Sequence, residues 1–148
     1  MTRRTHAGPL PCDVAALDLS GVNLIEASAG TGKTHTITYL YLRLLLEREL
    51  APGNIAVVTF TEAATKELRD RIRSVLAGAL EPAGADPLRD AILAACTERF
   101  GRDEVTHRLR RALVRFDEAA IFTIHGFCNR MLADNCFESG RLFDTALI

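Results

Sequence analysis

The chain contains two lysines, Lys33 and Lys66, and one of them falls where a lysine can do chemistry. Lys33 ends the run Ala27-Ser28-Ala29-Gly30-Thr31-Gly32-Lys33 and is followed by Thr34. A glycine-containing loop that closes on Gly-Lys-Thr and opens a helix is the layout of a phosphate cradle. Successive backbone N–H groups of such a loop surround phosphate oxygens. The first helical turn adds unpaired N–H groups and the positive end of its dipole. In that chemistry Lys33 reaches the β- and γ-phosphates of ATP, and the Thr34 hydroxyl ligates Mg2+. The strict pattern G-x-x-x-x-G-K-[ST] has Gly where this chain has Ala27. Gly30 and Gly32, the positions nearest the phosphates where a Cβ has least room, are both present. An accidental Gly-Lys-Thr in a surface turn would not account for the apolar run before it, Val22 to Ile25, or the apolar helix pattern after it.

These residues need a strand, a helix and a sheet to hold them. Residues 22–26 read as a first strand leading into the loop. Ile37, Leu40, Tyr41, Leu44 and Leu45 then recur at three- and four-residue spacing, with Leu42 and Leu46 widening the apolar surface, and Pro52-Gly53 stops the helix. Ile55 to Phe60 is a continuous β-branched and apolar run, the pattern of a strand buried on both faces in a parallel sheet. Strand, helix and strand in succession make a right-handed βαβ unit. Thr61 is placed to cap a helix over about 62–80, whose inward stripe is Ala64, Leu68, Ile72, Val75 and Leu76. Residues 81–87 are a loop by composition, and helices follow over roughly 87–99 and 103–117. The second of these carries Val105, Leu109, Leu113 and Phe116 on one face and Arg108, Arg111 and Arg115 on another. That arginine face reads first as a solvated surface. A DNA or partner surface is the sharper alternative. A third strand, Ala120 to Ile124, precedes a last helix over about 126–137 that packs Phe127, Met131 and Leu132. Residues 1–11 read as a tail ending at Pro9 and Pro11.

Length and composition narrow the classes. The 148 residues suffice for one domain with a proper core, and the net charge of −1 exerts no global pull toward nucleic acid. Any DNA contact must be local. Cys12, Cys96, Cys128 and Cys136 form no C-x-x-C pair, and His107 and His125 complete no metal spacing, so four reduced thiols are expected. The N-terminus lacks the apolar stretch of a signal peptide and no segment is long enough to span a membrane, which predicts a cytoplasmic protein.

Residues 57–72, Val-Val-Thr-Phe-Thr-Glu-Ala-Ala-Thr-Lys-Glu-Leu-Arg-Asp-Arg-Ile, closely resemble motif Ia of the UvrD/Rep-type superfamily 1 helicases. Phe122-Thr123-Ile124-His125-Gly126-Phe127 resembles motif Ib of the same group. The loop neighbourhood from Leu24 to Thr34, including Ala27, is similar to the RecB group of exodeoxyribonuclease V beta subunits, as are Ala119 to Arg130 and Phe137-Glu138-Ser139-Gly140. The related AddA helicase–nucleases share much of the pattern. The resemblance implies the fold class: a partial RecA-like P-loop NTPase domain over 12–148, α/β, with a parallel sheet of at least three strands flanked by helices and a helical insertion at about 82–118. It implies that Gly30, Thr31, Gly32, Lys33 and Thr34 bind ATP and magnesium. Thr59, Phe60 and Thr61 would contact single-stranded DNA, as would Thr123, His125 and Gly126. Thr61 taken alone is simply a good helix cap. The resemblance further implies RecC- and RecD-like partners, and 3′ to 5′ unwinding from double-strand ends that feeds a nuclease.

A motor of this kind also needs an acidic Walker B pair and arginine fingers. Asp117-Glu118 is a poor Walker B candidate, because Arg115 interrupts the run before it and the context is helical. The later motifs and a nuclease segment are absent, so the chain reads as an N-terminal piece of a longer protein, expected to bind nucleotide weakly and not to unwind. A small P-loop phosphotransferase, or a nucleotide-sensing or DNA-binding module without turnover, are the competing classes.

Overall fold

The computed structural model describes residues 13–26, 30 and 32–135. The tail at 1–11, Ala27, Ser28, Ala29, Thr31, Cys12, Cys136 and the stretch 137–140 lie outside the described residues.

The helix after the loop forms as expected: α1 spans Lys33–Glu47. It buries Tyr39, Tyr41, Leu42, Leu45 and Leu46, whereas Ile37 stays partly exposed near the start. The chain then tightens into a 3-10 turn, Pro52–Asn54. Tyr41 donates to the Pro52 carbonyl at 3.2 Å, and burial pushes its hydroxyl pKa up to about 12, so it stays a donor. β1 (Val57–Thr59) follows, then α2 (Glu62–Gly78), whose buried residues Leu68, Ile72 and Leu76 come from the expected stripe. α3 (Pro87–Phe100) and α4 (Arg102–Val114) come next, a 3-10 turn follows at Phe116–Glu118, and β2 (Ile121–Thr123) runs directly into α5 (Ile124–Asp134).

β1 and β2 pair in parallel, with Val57 opposite Ile121 and Thr59 opposite Thr123. Helices α1 to α4 pack on one another around Leu42, Leu46, Leu76, Leu109 and Phe116, and α2 and α5 contact both strands. The result is a helix-rich α/β fold with a small parallel sheet.

Two expectations are not met among the described residues. Residues 22–26 carry no strand, and Val22 and Leu24 are exposed. Among the described residues the sheet therefore has two strands, not three. A strand exists only through its neighbour's hydrogen bonds, and β1 and β2 are paired with each other while neither forms a ladder with 22–26. Likewise none of the described residues of α5 is buried: Phe127 is half-buried, and Met131 and Leu132 are exposed. The apolar stripe of α5 is present, but among the described residues it meets no surface that buries it.

Leu46, fully buried, and Leu132, 41% exposed, give opposite expectations. Leu46→Ala should lower unfolding free energy by about 3 kcal/mol. Leu132→Ala should lower it by less than about 0.5 kcal/mol. Urea midpoints at unchanged m-value measure both.

Candidate phosphate and nucleic-acid site

Three helix N-termini bear the expected site residues. The first is the start of α1. Gly30 and Gly32 both hold positive φ, at 78° and 88°, where an L side chain would be strained. A Cβ on Gly30 would meet nothing within 4 Å, and one on Gly32 would only touch His35 Cβ, so the glycines serve backbone conformation rather than internal packing. No described side chain caps α1, and its first turn carries no acidic residue. Lys33 is exposed and Thr34 half-buried there. Amide donors without a side-chain cap, a lysine and a hydroxyl at a positive helix end suit a phosphate-bearing ligand and its magnesium.

The other two termini are brought together by the sheet. Parallel pairing in the register Thr59 opposite Thr123 makes both strands end at the same edge. α2 begins there with Thr61 as N-cap, its hydroxyl accepting the Ala64 amide at 3.1 Å. α5 begins with Thr123 as N-cap, accepting the Gly126 amide at 3.1 Å. Capping uses a lone pair of each hydroxyl, not its proton. A Cβ on Gly126 would lie 3.2 Å from Thr123 Oγ1, a tight contact against the capping hydroxyl. Phe60 stands 86% exposed between the strand end and α2, and His125 is exposed on the first turn of α5. The two termini differ electrostatically: α2 has Glu62 in its first turn, whereas α5 has no acid there. An anion is therefore better received at α5.

Thr59 has an internal role. Its hydroxyl lies 2.6 Å from that of Thr65, and the two reach the Thr61 carbonyl at 3.2 and 3.0 Å. Both protons are used inside the turn, so Thr59 and Thr65 shape the Phe60–Thr61 exit rather than offer donors outward. Thr65, buried at 9% exposure, escaped the sequence reading. Its signal was a threonine four residues after the cap, where a hydroxyl can bond back to the i−4 carbonyl.

The arginine face of α4 is occupied by ion pairs. Arg108, its side chain 11% exposed, bonds Glu104 at 2.6 Å and the Leu46 carbonyl at 2.6 Å, and its guanidinium lies 4.6 Å from the Phe100 ring centroid. Glu49 pairs with Arg108 at 3.4 Å and with Arg111 at 3.2 Å. Arg115 pairs with Glu118 at 2.7 Å. Hydrogen bonds from these arginines hold the Glu104 and Glu118 carboxyls below their usual range. This face fastens α4 to the end of α1. Asp117 and Glu118 sit in the 3-10 turn.

Two variants test the division. Thr65→Val removes a buried hydroxyl from a three-way network and should cost about 1–3 kcal/mol of stability, read from the denaturant midpoint. An Arg111→Ala/Arg115→Ala double variant should leave single-stranded DNA affinity and its salt dependence unchanged. A log–log slope smaller by about 1 would return that face to phosphate binding.

Known proteins bear on this geometry. The model for the UvrD/REP helicase N-terminal domain matches residues 13–147. RecBCD enzyme subunit RecB of Escherichia coli (strain K12) is 48% identical over an alignment covering 92% of this chain and 12% of that protein. The RecB subunit of Haemophilus influenzae is 43% identical over 96% of this chain and 13% of its own length. That of Buchnera aphidicola subsp. Schizaphis graminum is 41% identical over 87% and 12%. The chain thus spans about an eighth of these relatives. With its strand exits, helix caps and loop helix all inside the matched stretch, the chain belongs to the UvrD/REP helicase N-terminal domain family.

Proposed function

We propose that this chain is the ATP-binding N-terminal segment of a RecB-type DNA helicase–nuclease subunit. The observation that carries the reading is the common edge at which β1 and β2 deliver two helix N-termini, next in sequence to Phe60 and His125. In this reading Ala27 to Thr34 hold the ATP phosphates, with Lys33 on the β- and γ-phosphates and Thr34 on Mg2+. Bound ATP supplies the free energy of phosphoryl transfer. Thr61, Thr123, His125 and Gly126 take the DNA backbone, Phe60 offers a ring for a base to stack on, and Thr59 holds the exit in shape.

The Val22 to Glu26 run is proposed as a third strand of a larger parallel sheet. Its support is the exposure of Val22 and Leu24, an apolar pattern suited to burial that lies in solvent. The domain is then a partial RecA-like motor domain over 12–148, with α3 and α4 as its helical insertion. Because the relatives are named as subunits of the RecBCD enzyme, we extend the proposal to RecC- and RecD-like partners and to unwinding of double-strand ends for recombinational repair in the cytoplasm. Asp117-Glu118 stands in a 3-10 turn and not at a strand end, so we assign hydrolysis and unwinding to a longer protein.

Calorimetric titration with ATP–Mg2+ tests the core of this. The chain should bind weakly, and Lys33→Ala should abolish binding while leaving the far-ultraviolet circular dichroism unchanged. Equal affinity in the variant would overturn the phosphate role, and robust DNA-stimulated hydrolysis by the 148-residue chain would overturn the assignment of hydrolysis elsewhere.

A further inference from the structure

Near its start the loop helix is hydrogen-bonded to the helical insertion, and neither motif accounts for that bond. The Tyr39 hydroxyl donates to an Asp86 carboxylate oxygen, across 47 positions of sequence. Tyr39 lies on the second turn of α1 and is 3% exposed. His35, two residues after Lys33, rests on it with ring centroids 4.5 Å apart and planes tilted by 51°. Asp86 in turn is the N-cap of α3, accepting the Arg89 amide at 3.0 Å through its other oxygen.

The anchor end of this link is itself fixed. Pro87 presets the first turn of α3, Asp90 accepts the Gly84 amide at 2.6 Å, and Arg89 is buried. The α1 end has no described side-chain cap, and beside the His35–Tyr39 stack its first turn is held by Thr38, which bonds the Thr34 carbonyl at 2.8 Å. A helix start left open for a ligand must be oriented from the side. Partial burial pushes the Asp86 carboxyl up, but the Tyr39 hydroxyl, the Arg89 amide, the Arg89 guanidinium and His35 outweigh it and hold the group below its usual range. Burial and the Asp86 bond raise the Tyr39 hydroxyl pKa, so it remains the donor.

We infer that Tyr39 and Asp86 are positioning residues for the phosphate site, bracing the start of α1 against the helical insertion. The inference rests on the phosphate-site reading above. It makes the α3–α4 insertion part of the nucleotide site's framework, so that movement of one is felt by the other.

The test uses the 148-residue chain, ATP–Mg2+ as probe, and two substitutions that keep the local helices. Tyr39→Phe removes the hydroxyl and keeps the ring. Asp86→Ser keeps an N-cap on α3 but cannot span to Tyr39. Each should weaken ATP–Mg2+ binding about five- to tenfold, less than the full worth of a hydrogen bond to a charged group because the bond acts on the site indirectly. The double variant should be no weaker than either single one. Amide hydrogen exchange of residues 36–39 should quicken in all three with or without nucleotide. A purely structural role would lower the unfolding midpoint while leaving the affinity and local exchange of the folded protein unchanged, and that result, or additive losses, would overturn the brace. If the parent chain binds no ATP–Mg2+, the phosphate reading fails. Exchange at residues 36–39 then decides the brace alone, parent-like rates overturning it.

Discussion

The parallel pairing of β1 with β2 is the constraint from which the remaining geometry follows. Parallel strands cannot be joined by a tight turn, so residues 60–120 must travel back over the sheet before β2 can begin. That return passage is α2, α3 and α4, and their packing on α1 makes the core. Once the strands run the same way, their carboxyl ends fall at one edge and the next helices start there. Thr61 and Thr123 cap those helices with the same bond to the amide three residues on. The ladder is only three residues long, so other bonds share the work of holding it. Arg69 reaches the Ala119 and Ile121 carbonyls at 3.1 and 3.4 Å, tying α2 to the start of β2. The Val57 amide bonds the Ala120 carbonyl at 2.9 Å.

This arrangement explains how a chain of net charge −1 could meet phosphates at all. Its arginines are largely engaged in structure. Arg43, 5% exposed, pairs with Glu47 and donates to the Val14 and Leu17 carbonyls at 2.8 and 2.7 Å, while Arg108 bolts α4 to α1. Positive potential for a ligand then comes from oriented backbone amides at helix starts, which carry no formal charge and leave the composition neutral.

Features that are local in sequence were legible in it. Helix limits, the Thr61 cap, the Pro52-Gly53 stop and the inward stripe of α2 depend on residues within a few positions of one another. The features that were missed depend on distant partners. Residues 22–26 have the composition of a strand, but a strand is a relation between segments. α5 has an apolar stripe whose burial depends on what surrounds it. The Tyr39–Asp86 bond joins two residues unremarkable in their own surroundings, and the Thr59–Thr65 contact appears only once β1 has turned into α2. Of the loop itself, Gly30, Gly32, Lys33 and Thr34 fall within the described residues, and both glycines hold positive φ, a feature the sequence reading had not singled out.

In the proposed reading, nucleic acid meets this fold at the shared strand edge and not at the arginine face of α4. Backbone amide chemical shifts of the isotopically labelled chain, recorded while a short oligothymidylate is titrated in, test it most directly. Shifts should concentrate at residues 60–64 and 123–127, with the amides of 108–115 unmoved. Shifts centred on 108–115, with the two helix starts unchanged, would contradict it.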